Sequence, residues 1–207
     1  EAAQHYCLTT TVDIARLVPD VTISGQCGSD PVSVVKHGIK ICNLESGTYD
    51  KVYFVFDRDS HANYDDALSR INTFANRQGI KKRVDVDAIT SNPCFELWYL
   101  LHYLNSTKSY SRAGNKSPCD CLIADLKKYP LFTAYDKGKK GCFNKLSCEE
   151  RDLAIKNADL IRKQSIANGD RPHHGNPVTQ MDILLKGLGQ VAEHNDMVEQ
   201  KKKNLCA

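Results

Sequence analysis

Short apolar runs alternate with amphipathic segments in the first half of the chain, and this alternation constrains the fold more than any other feature. Val21 to Gly25 and Lys51 to Phe56 are rich in β-branched and aromatic residues and are bounded by turn residues, which predicts two buried strands. Between them, Asp30 to Glu45 carries apolar residues at helical spacing, with Asp30 placed as the N-cap and Pro31 at the first helical position. The sequence therefore predicts a strand, helix, strand unit.

The same pattern continues further along the chain. Tyr64 to Ala75 carries apolar residues at a period of 3.6, and Gly79 follows the predicted helix end. Arg83 to Ile89 is predicted to form a third strand. Alternation of this kind predicts an α/β fold, with a mostly parallel sheet covered by helices on both faces. Ligands of such sheets bind at the carboxyl ends of the strands, where Asp57 stands.

The second half of the chain is predicted to be helical. Pro93 to Leu104 is an apolar segment that predicts a buried helix, and two amphipathic helices are predicted around Leu153 to Ile161 and Val178 to Leu188. At 207 residues, of which 41% are apolar, the chain is long enough to bury a sizeable core. We expect an α/β core over residues 1–104 and, over residues 105–207, a basic segment and C-terminal helices packed on that core.

Positive charge is concentrated in one part of the chain. The formal net charge is only +3, so the overall charge makes no strong case for nucleic-acid binding. Between Asn105 and Lys145, however, nine Lys or Arg residues are accompanied by only three Asp residues. An ordinary solvated surface is the alternative interpretation of this stretch. The residues of the stretch that we predict to contact nucleic-acid phosphates are Lys108, Arg112, Lys116, Lys137, Lys139 and Lys140.

Neither a membrane segment nor a disulfide framework is indicated by the sequence. The longest nearly uninterrupted apolar run, Phe95 to Leu104, contains Glu96 and His102 and is far shorter than the roughly 20 residues of a membrane-spanning helix. Nine cysteines, an odd number without a CxxC pair, predict mostly free thiols in a reducing cytoplasm. Four of them lie at spacings that match no familiar zinc finger: Cys119, Cys121, Cys142 and Cys148.

Two carboxylates directly follow the second predicted strand, in the segment VYFVFDRDSH from Val52 to His61. Residues i and i+2 of an extended or turning backbone point the same way, so Asp57 and Asp59 can converge on one hard cation. The alternative is an acidic turn after a strand, which is common in proteins. The context of a buried strand within an α/β pattern favours a metal site.

Further residues near this segment have candidate chemical roles. His61 can donate to a phosphate or act as an acid near neutral pH, or it can be a surface turn residue. Asn92 and Pro93 are expected to cap and begin the third helix, which leaves Glu96 one position beyond the capping-box site. Glu96 can then serve a metal site or proton transfer, or simply favour the helix macrodipole. His173 and His174, in the polar loop DRPHHGNP of residues 170–177, are expected to be exposed to solvent and not to act as ligands.

Four sequence blocks, in matching order, resemble the RloB-like family, whose members carry a Toprim-type domain. The blocks are GSDPVSVV (Gly28 to Val35), FDRDSH (Phe56 to His61), SNPCFELWYLLHY (Ser91 to Tyr103) and NPVTQMDILLKGL (Asn176 to Leu188). The Toprim domain is the catalytic core shared by topoisomerases, primases and overcoming-lysogenization-defect nucleases. The resemblance implies a Toprim-like fold in a prokaryotic antiviral, abortive-infection effector that cuts RNA of the tRNA type or DNA.

The resemblance also implies which residues act and what they bind. Family members usually open with a strand and a glutamate-rich block, so EAAQHYC would place Glu1 at the Toprim glutamate, and the strand would precede this chain. Mg²⁺ or Mn²⁺ would be held by Asp57, Asp59 and Glu1, while His61 and Glu96 would complete the catalytic set. RloB-like proteins are typically encoded beside an ATPase. Because this sequence contains no GxxxxGK[ST] motif, ATP-driven regulation would require that partner.

Two other functions stay open on the sequence. A non-catalytic Toprim scaffold that docks on the ATPase is favoured by Gln4 and Cys7, which replace expected acidic and aromatic residues, and disfavoured by the intact DxD. A phosphatase of the haloacid-dehalogenase type would also place DxD after a strand and would use Asp57 as its nucleophile. That motif expects Thr or Val where this chain has His61, so the phosphatase is the more distant alternative.

Overall fold

The computed structural model describes residues 21–25, 28, 30–77, 84–139 and 141–205. Within these residues, one three-stranded sheet is accompanied by six α-helices. In chain order the elements are α1 (Pro31–Leu44), β1 (Lys51–Asp57), α2 (Tyr64–Ala75), β2 (Asp85–Asn92), α3 (Glu96–Leu100), α4 (Pro118–Leu126), α5 (Cys148–Ala167), β3 (Val178–Thr179) and α6 (Met181–Leu205). Two 3₁₀ turns, Pro130–Phe132 and Phe143–Lys145, lie between α4 and α5.

The sheet is mostly parallel, with its strands in the order β1, β2, β3. β1 and β2 pair in parallel, from Lys51 opposite Asp85 to Asp57 opposite Ser91. β3 is a two-residue strand that pairs antiparallel with the end of β2. The α/β class predicted from the alternating pattern is therefore confirmed. β2 overlaps the strand predicted from Arg83 to Ile89 and continues three residues beyond it, while Arg83 lies outside the described residues.

The segment from Val21 to Gly25 differs from its prediction, because it contains no strand. Most of the segment is exposed, and the Ser24 hydroxyl lies 2.8 Å from Nε2 of His37 in α1. A composition rich in β-forming residues does not by itself hold a strand, since sheets are stabilised by cross-strand side-chain pairs. This prediction was wrong.

Both helices predicted in this part of the chain form, and α1 has the predicted N-terminal cap. Asp30 caps α1 by accepting a hydrogen bond from the Ser33 N–H at 3.1 Å, and Pro31 is the first helical residue. The hydrogen bonds from Ser33 lower the pKa of the Asp30 carboxyl to about 2. The second helix, α2, has the limits predicted from its apolar period.

α1 and α2 cover one face of the sheet. Phe54 and Phe56 of β1 point into this first core, where they meet buried residues of both helices. Close approach of α1 to β1 requires a glycine, because a Cβ on Gly38 would lie 2.5 Å from the Phe54 ring. The fully buried members include Val35 and Ala67. Burial of each large apolar side chain contributes roughly 1.5–3 kcal/mol, so this layer is held mainly by packing.

The helices from α3 onward belong to a larger core that packs against the other side chains of the sheet. Tyr53 and Val55 of β1 pack against this second core, as expected for side chains that alternate along a strand. Its completely buried centre includes Trp98, Leu101, Leu122 and Phe132. Because residues from β2 to α6 share one core, the helices after residue 105 pack on the sheet; the domain boundary at residue 104 stays a prediction.

The helix predicted from Pro93 to Leu104 is shorter than expected. β2 continues through Asn92, a cis peptide bond joins it to Pro93, and α3 spans only Glu96–Leu100. Asn92 is not a helix cap, because its side chain donates a 2.6 Å hydrogen bond to the carbonyl of Gly175. The predicted cap was therefore wrong, whereas the predicted burial is confirmed.

His173 and His174 are less exposed than predicted, because their part of the loop packs against α2 and the end of β2, whereas residues 170–172 are exposed. His173 and His174 are both half-buried. The Tyr64 hydroxyl donates to the carbonyl of His173 at 2.8 Å, and Nη1 of Arg58 lies 3.3 Å from the carbonyl of His174. These contacts use backbone carbonyls, which explains why a polar sequence did not reveal them.

Both predicted C-terminal helices form, but the second begins at Met181 and not at Val178, because Val178 and Thr179 pair with the end of β2 as the strand β3. α5 begins with a capping box in which Ser147 and Glu150 exchange hydrogen bonds between side chain and backbone. Its Arg162 forms an ion pair with the buried Asp182 in the first turn of α6. Among the helices of the described residues, none combines the length and the apolar character needed to cross a membrane.

Candidate acidic site

The DxD segment lies at the carboxyl ends of β1 and β2, where its backbone is tied to the neighbouring strand. Arg58 N–H donates to the Ser91 carbonyl and Asp59 N–H donates to the Pro93 carbonyl, both at 2.8 Å. Asp59 has a φ of 37°, in the left-handed region that Asp tolerates better than most residues. These bonds fix the position of the turn that carries both carboxylates.

Asp57 occupies an environment that disfavours its charged form. Although part of the residue reaches the surface, burial of the carboxyl raises its pKa to about 7, and the negative charge of Glu96 adds to this shift. A hydrogen bond from the Phe95 N–H and the positive charge of Lys137 act in the opposite direction. Asp57 and Glu96 are therefore close enough to repel each other, as expected of carboxylates gathered at one site.

Glu96 is buried, with 5% of its surface exposed, and two neighbours contact its carboxylate. The Tyr135 hydroxyl donates to Oε1 at 3.1 Å, and the Sγ of Cys119 lies 3.5 Å from Oε2. Burial and the charge of Glu96 raise the pKa of Tyr135, so this hydroxyl stays protonated and keeps donating. Tyr135 thus orients one oxygen of Glu96.

Asp59 contributes a carboxylate oxygen that the described residues leave unsatisfied. Its Oδ1 is buried and has no hydrogen-bond partner within the part of the chain that the structure describes. A buried carboxylate oxygen without a donor is costly, and a cation or water can satisfy it. Together with the repulsion between Asp57 and Glu96, this oxygen makes the site a fit for a hard divalent cation.

The structure brings together some of the predicted site residues and not others. Asp57, Asp59 and Glu96 lie at the same end of the sheet, but the DxD pair does not join a third described acidic, His or Cys residue in a group with ligand atoms within 4.8 Å. His61 is exposed, and its backbone N–H donates to the Arg58 carbonyl. Glu1 lies outside the described residues, so its predicted role stays a prediction.

The basic stretch contributes one side chain to the electrostatics of this site. Lys137 is exposed but acts on Asp57, whose pKa it lowers. Other members are engaged locally: Nζ of Lys108 lies 2.5 Å from Asp125, and Nζ of Lys139 donates to the Ala134 carbonyl at 2.9 Å. Of the remaining candidates, two are exposed and the third lies outside the described residues: Arg112, Lys116 and Lys140.

Another basic surface, which the sequence analysis missed, lies on the other side of the sheet. A groove of about 590 Å³ runs between α1 and α2, with Phe74 among its lining residues. Two of its charged residues lie on α1, one on α2 and one just after the end of α2, so no basic run marks them in the sequence. The positively charged residues that line the groove are Lys36, Lys40, Arg70 and Arg77.

The cysteines beside the acidic site also differ from the prediction. Cys94 and Cys119 form a disulfide between the segment after β2 and the helix α4. Four other described cysteines are free, as predicted: Cys42, Cys121, Cys142 and Cys148. The sequence could not reveal the pair, because its partners are separated by 25 residues without a characteristic spacing. Tyr135 was missed for the same reason, since nothing local marks its contact with Glu96.

Comparison with known protein families identifies a relationship for most of the chain. A family model described as "RloB-like protein" matches residues 5–188. The matched range includes the DxD segment, Glu96, Tyr135 and the basic stretch. Neither the curated proteins nor the solved structures contain a match to this chain.

Proposed function

Since this chain belongs to the RloB-like family, we propose that it is a Mg²⁺- or Mn²⁺-dependent phosphoryl-transfer effector of Toprim type that cuts nucleic acid. The observation that carries this proposal is the pairing of Asp57 with Glu96 at the carboxyl ends of parallel strands. Like charges in a desolvated site are unfavourable unless a proton or a cation compensates them. A divalent cation is therefore the ligand that the electrostatics of the site favour.

The proposed roles follow from the surroundings of each residue. Asp57 and Asp59 would hold the metal ion, with Glu1 as a further ligand by resemblance to the family. When bound, the ion would polarise the scissile phosphate and stabilise the charge that develops on it. Glu96, oriented by the Tyr135 hydroxyl, would accept the proton of the attacking water or ribose hydroxyl.

The basic stretch would bind the substrate. Lys137 is the best supported of its members, since this exposed lysine already acts electrostatically on Asp57. Its ammonium group would contact a backbone phosphate next to the scissile bond. His61, exposed on the loop after Asp59, would donate to the same phosphate or to the leaving group.

The biological setting is part of the same proposal and rests on family membership. The substrate would be RNA of the tRNA type or DNA, in the cytoplasm of a prokaryotic cell during antiviral defence. An ATPase subunit would control the effector, because the chain itself contains no GxxxxGK[ST] motif. Restraint by such a partner is required of any nuclease that attacks the nucleic acid of its own cell.

A cleavage assay tests this function directly. The full chain is incubated with tRNA and with plasmid DNA, with Mg²⁺, with Mn²⁺ and with a chelator. We expect metal-dependent cleavage that Asp57→Asn abolishes, because Asn keeps the shape of the side chain but loses its charge. Asp66→Asn, on the exposed surface of α2, is the matched control and should cut at the parental rate. Cleavage by Asp57→Asn at the parental rate would disprove the mechanism.

A second candidate function is the non-catalytic scaffold of an ATPase complex. One observation favours it: within the described residues, Asp57 and Asp59 are not part of a close group of three candidate ligands. The same assay separates the two functions. A scaffold would leave both substrates intact with either metal, and it would still form a complex with the ATPase after Asp57→Asn.

A further inference from the structure

The Cys94–Cys119 pair lies beside Glu96 in a fully enclosed part of the molecule. Cys94 precedes Phe95, whose N–H donates to Asp57, and Glu96, whose charge acts on Asp57, while Cys119 belongs to the first turn of α4. The two cysteines expose 1% and 0% of their surface, and Glu96 exposes 5%. One donor atom from each of the three residues lies within 4.8 Å of the others. In this oxidised form the two sulfurs are bonded to each other, and the buried carboxylate of Glu96 lies next to the bond. Reduction leaves two thiols and a carboxylate side by side.

We propose that, in the reduced protein, Cys94, Cys119 and Glu96 form a binding site for a thiophilic divalent cation of the Zn²⁺ class. This site differs in ligand chemistry from the Mg²⁺ site proposed at Asp57 and Asp59, and it shares Glu96 with the proposed catalytic residues. While Glu96 binds the thiophilic cation, its carboxylate does not accept the proton of the attacking group. Thiolates select Zn²⁺ and similar soft or borderline ions, whereas Mg²⁺ requires oxygen ligands. Two thiolates and one carboxylate make three protein ligands, which leaves a fourth position for water.

The surroundings of Glu96 support its role as a ligand. The Tyr135 hydroxyl holds Oε1, while Oε2 is the oxygen that lies 3.5 Å from the sulfur of Cys119. One carboxylate oxygen is therefore oriented by the protein and the other is directed toward the sulfurs. Carboxylate ligands of metal ions are commonly held in this way by a hydrogen bond to their second oxygen.

The disulfide and the metal site exclude each other. A disulfide sulfur has no negative charge to offer and no hydrogen to donate to Glu96. A dithiol reductant converts the pair to two thiols and is itself oxidised to a disulfide. Each thiol then releases its proton to solvent as its sulfur binds the cation, so one divalent ion displaces two protons. Only the reduced protein should bind the ion.

The four cysteines whose spacing was compared with zinc fingers, Cys119, Cys121, Cys142 and Cys148, do not together form this site. Only one of them, Cys119, is close to Glu96, and its partner sulfur comes from Cys94. Cys121 lies two residues from Cys119, is half-buried and remains a free thiol. Cys121→Ser is therefore the matched control, because it removes a nearby free thiol that does not belong to the proposed site.

Equilibrium dialysis with elemental analysis tests the proposal. The full chain is reduced with a phosphine under nitrogen and dialysed against Zn²⁺, and in parallel against Cd²⁺, whose bonds to thiolates absorb in the ultraviolet. We expect one tightly bound ion in the reduced protein and none at this site in the disulfide form. Cys119→Ser should weaken binding by at least about 100-fold and Glu96→Gln by about 10- to 100-fold, whereas Cys121→Ser should leave it unchanged.

Two outcomes would overturn the inference. Equal Zn²⁺ affinity in Cys119→Ser and the reduced parent would assign the ion to other thiols, and full binding by the disulfide form would exclude the cluster. Glu96→Gln keeps the size of the side chain, so it tests the site even if a cysteine variant folds poorly. The result is independent of the proposed nuclease: Asp57→Asn should lose cleavage and keep the Zn²⁺ stoichiometry of the reduced protein.

Discussion

Buried carboxylates occur in two regions of the molecule, and their surroundings differ. Asp182, at the start of α6, is completely buried, and its two oxygens accept hydrogen bonds from Arg162 at 2.5 and 3.0 Å. Lys186 adds a third contact at 3.3 Å. At the carboxyl ends of the parallel strands, Asp57 and Glu96 instead lie beside each other, and a backbone N–H and a tyrosine hydroxyl donate to them.

The two regions differ in whether neighbouring residues compensate the negative charge, and this separates a carboxylate with a structural role from candidates for ligand binding. The charge of Asp182 is compensated within the fold, so removing either partner should destabilise the protein. The charges of Asp57 and Glu96 repel each other, so the fold maintains them at a cost in stability. Proteins retain such arrangements where a ligand completes them, which is why the acidic site is the candidate for function.

The largest expected effect concerns the compensated pair. Arg162→Ala should lower the free energy of unfolding by about 3 kcal/mol or more, because it leaves the buried Asp182 with Lys186 alone. Lys163→Ala is the matched control: Lys163 is exposed and contacts Asp159 at the surface, where ion pairs contribute at most about 1 kcal/mol. Urea denaturation of both variants measures the difference. Equal losses would mean that burial does not set the strength of the Arg162 contact.

Burial of His102 should also make the stability of the protein depend on pH. His102 is buried, and burial lowers its pKa to about 4, below the ordinary value of 6.5. The unfolded chain therefore takes up a proton below pH 6.5 that the folded protein excludes until about pH 4. Stability should be lost as the pH falls through this window, by up to about 3 kcal/mol.

Denaturation curves at pH 7, 5.5 and 4.5, values chosen around the window defined by the pKa of His102, measure this loss. His102→Gln should start from a lower stability but lose less of it between these values. His61→Gln removes an exposed histidine and should keep the parental pH dependence. A parental slope in His102→Gln would show that other groups cause the acid sensitivity.

The two regions should respond in opposite directions to the same chemical change. In metal-free protein, Asp57→Asn should raise the free energy of unfolding by about 1–2 kcal/mol, because it removes a charge that burial and the neighbouring Glu96 both disfavour. Asp182→Asn should lower it, because Arg162 then loses its charged partner. Thermal unfolding in a chelator at pH 8 measures both variants. Equal destabilisation by Asp57→Asn and Asp182→Asn would show that the two carboxylates do not differ in how well the fold compensates their charge.

The smallest expected effect concerns substrate contacts. Lys137→Ala combined with Lys139→Ala should weaken nucleic-acid binding and flatten its dependence on salt, because fewer counterions are released. Lys36→Ala with Lys40→Ala removes the same charge from the groove on the other side of the sheet. The slope of log affinity against log salt should fall by roughly 2 in the first variant if both lysines contact phosphates. An equal fall of the slope in the variant with Lys36 and Lys40 replaced would show that Lys137 and Lys139 are not preferred contacts of the nucleic acid.

The sequence predicted those features that a few neighbouring residues determine. The cap at Asp30, the helix α2 and the strand that ends at Asp57 follow from local spacing and composition, and the structure contains all three. The parallel pairing of β1 with β2 follows from the strand and helix order, and it brings the DxD segment beside Glu96.

Features that depend on distant residues were missed. Asn92 resembles a helix cap locally, yet its side chain bonds to Gly175, 83 residues away. β3 is too short to show an alternating pattern. The contact of Tyr135 with Glu96 and the pairing of Cys94 likewise arise only when the chain folds.

Calorimetric titration of Mg²⁺ tests the central claim, that the carboxylates at the ends of β1 and β2 form a divalent-cation site. We expect the parent protein to bind Mg²⁺ and to unfold at a higher temperature when the ion is present. Asp57→Asn should weaken binding at least about 10-fold and remove the thermal shift, while the exposed Asp66→Asn behaves as the parent. Parental Mg²⁺ binding by Asp57→Asn, or no binding by the parent, would contradict the account.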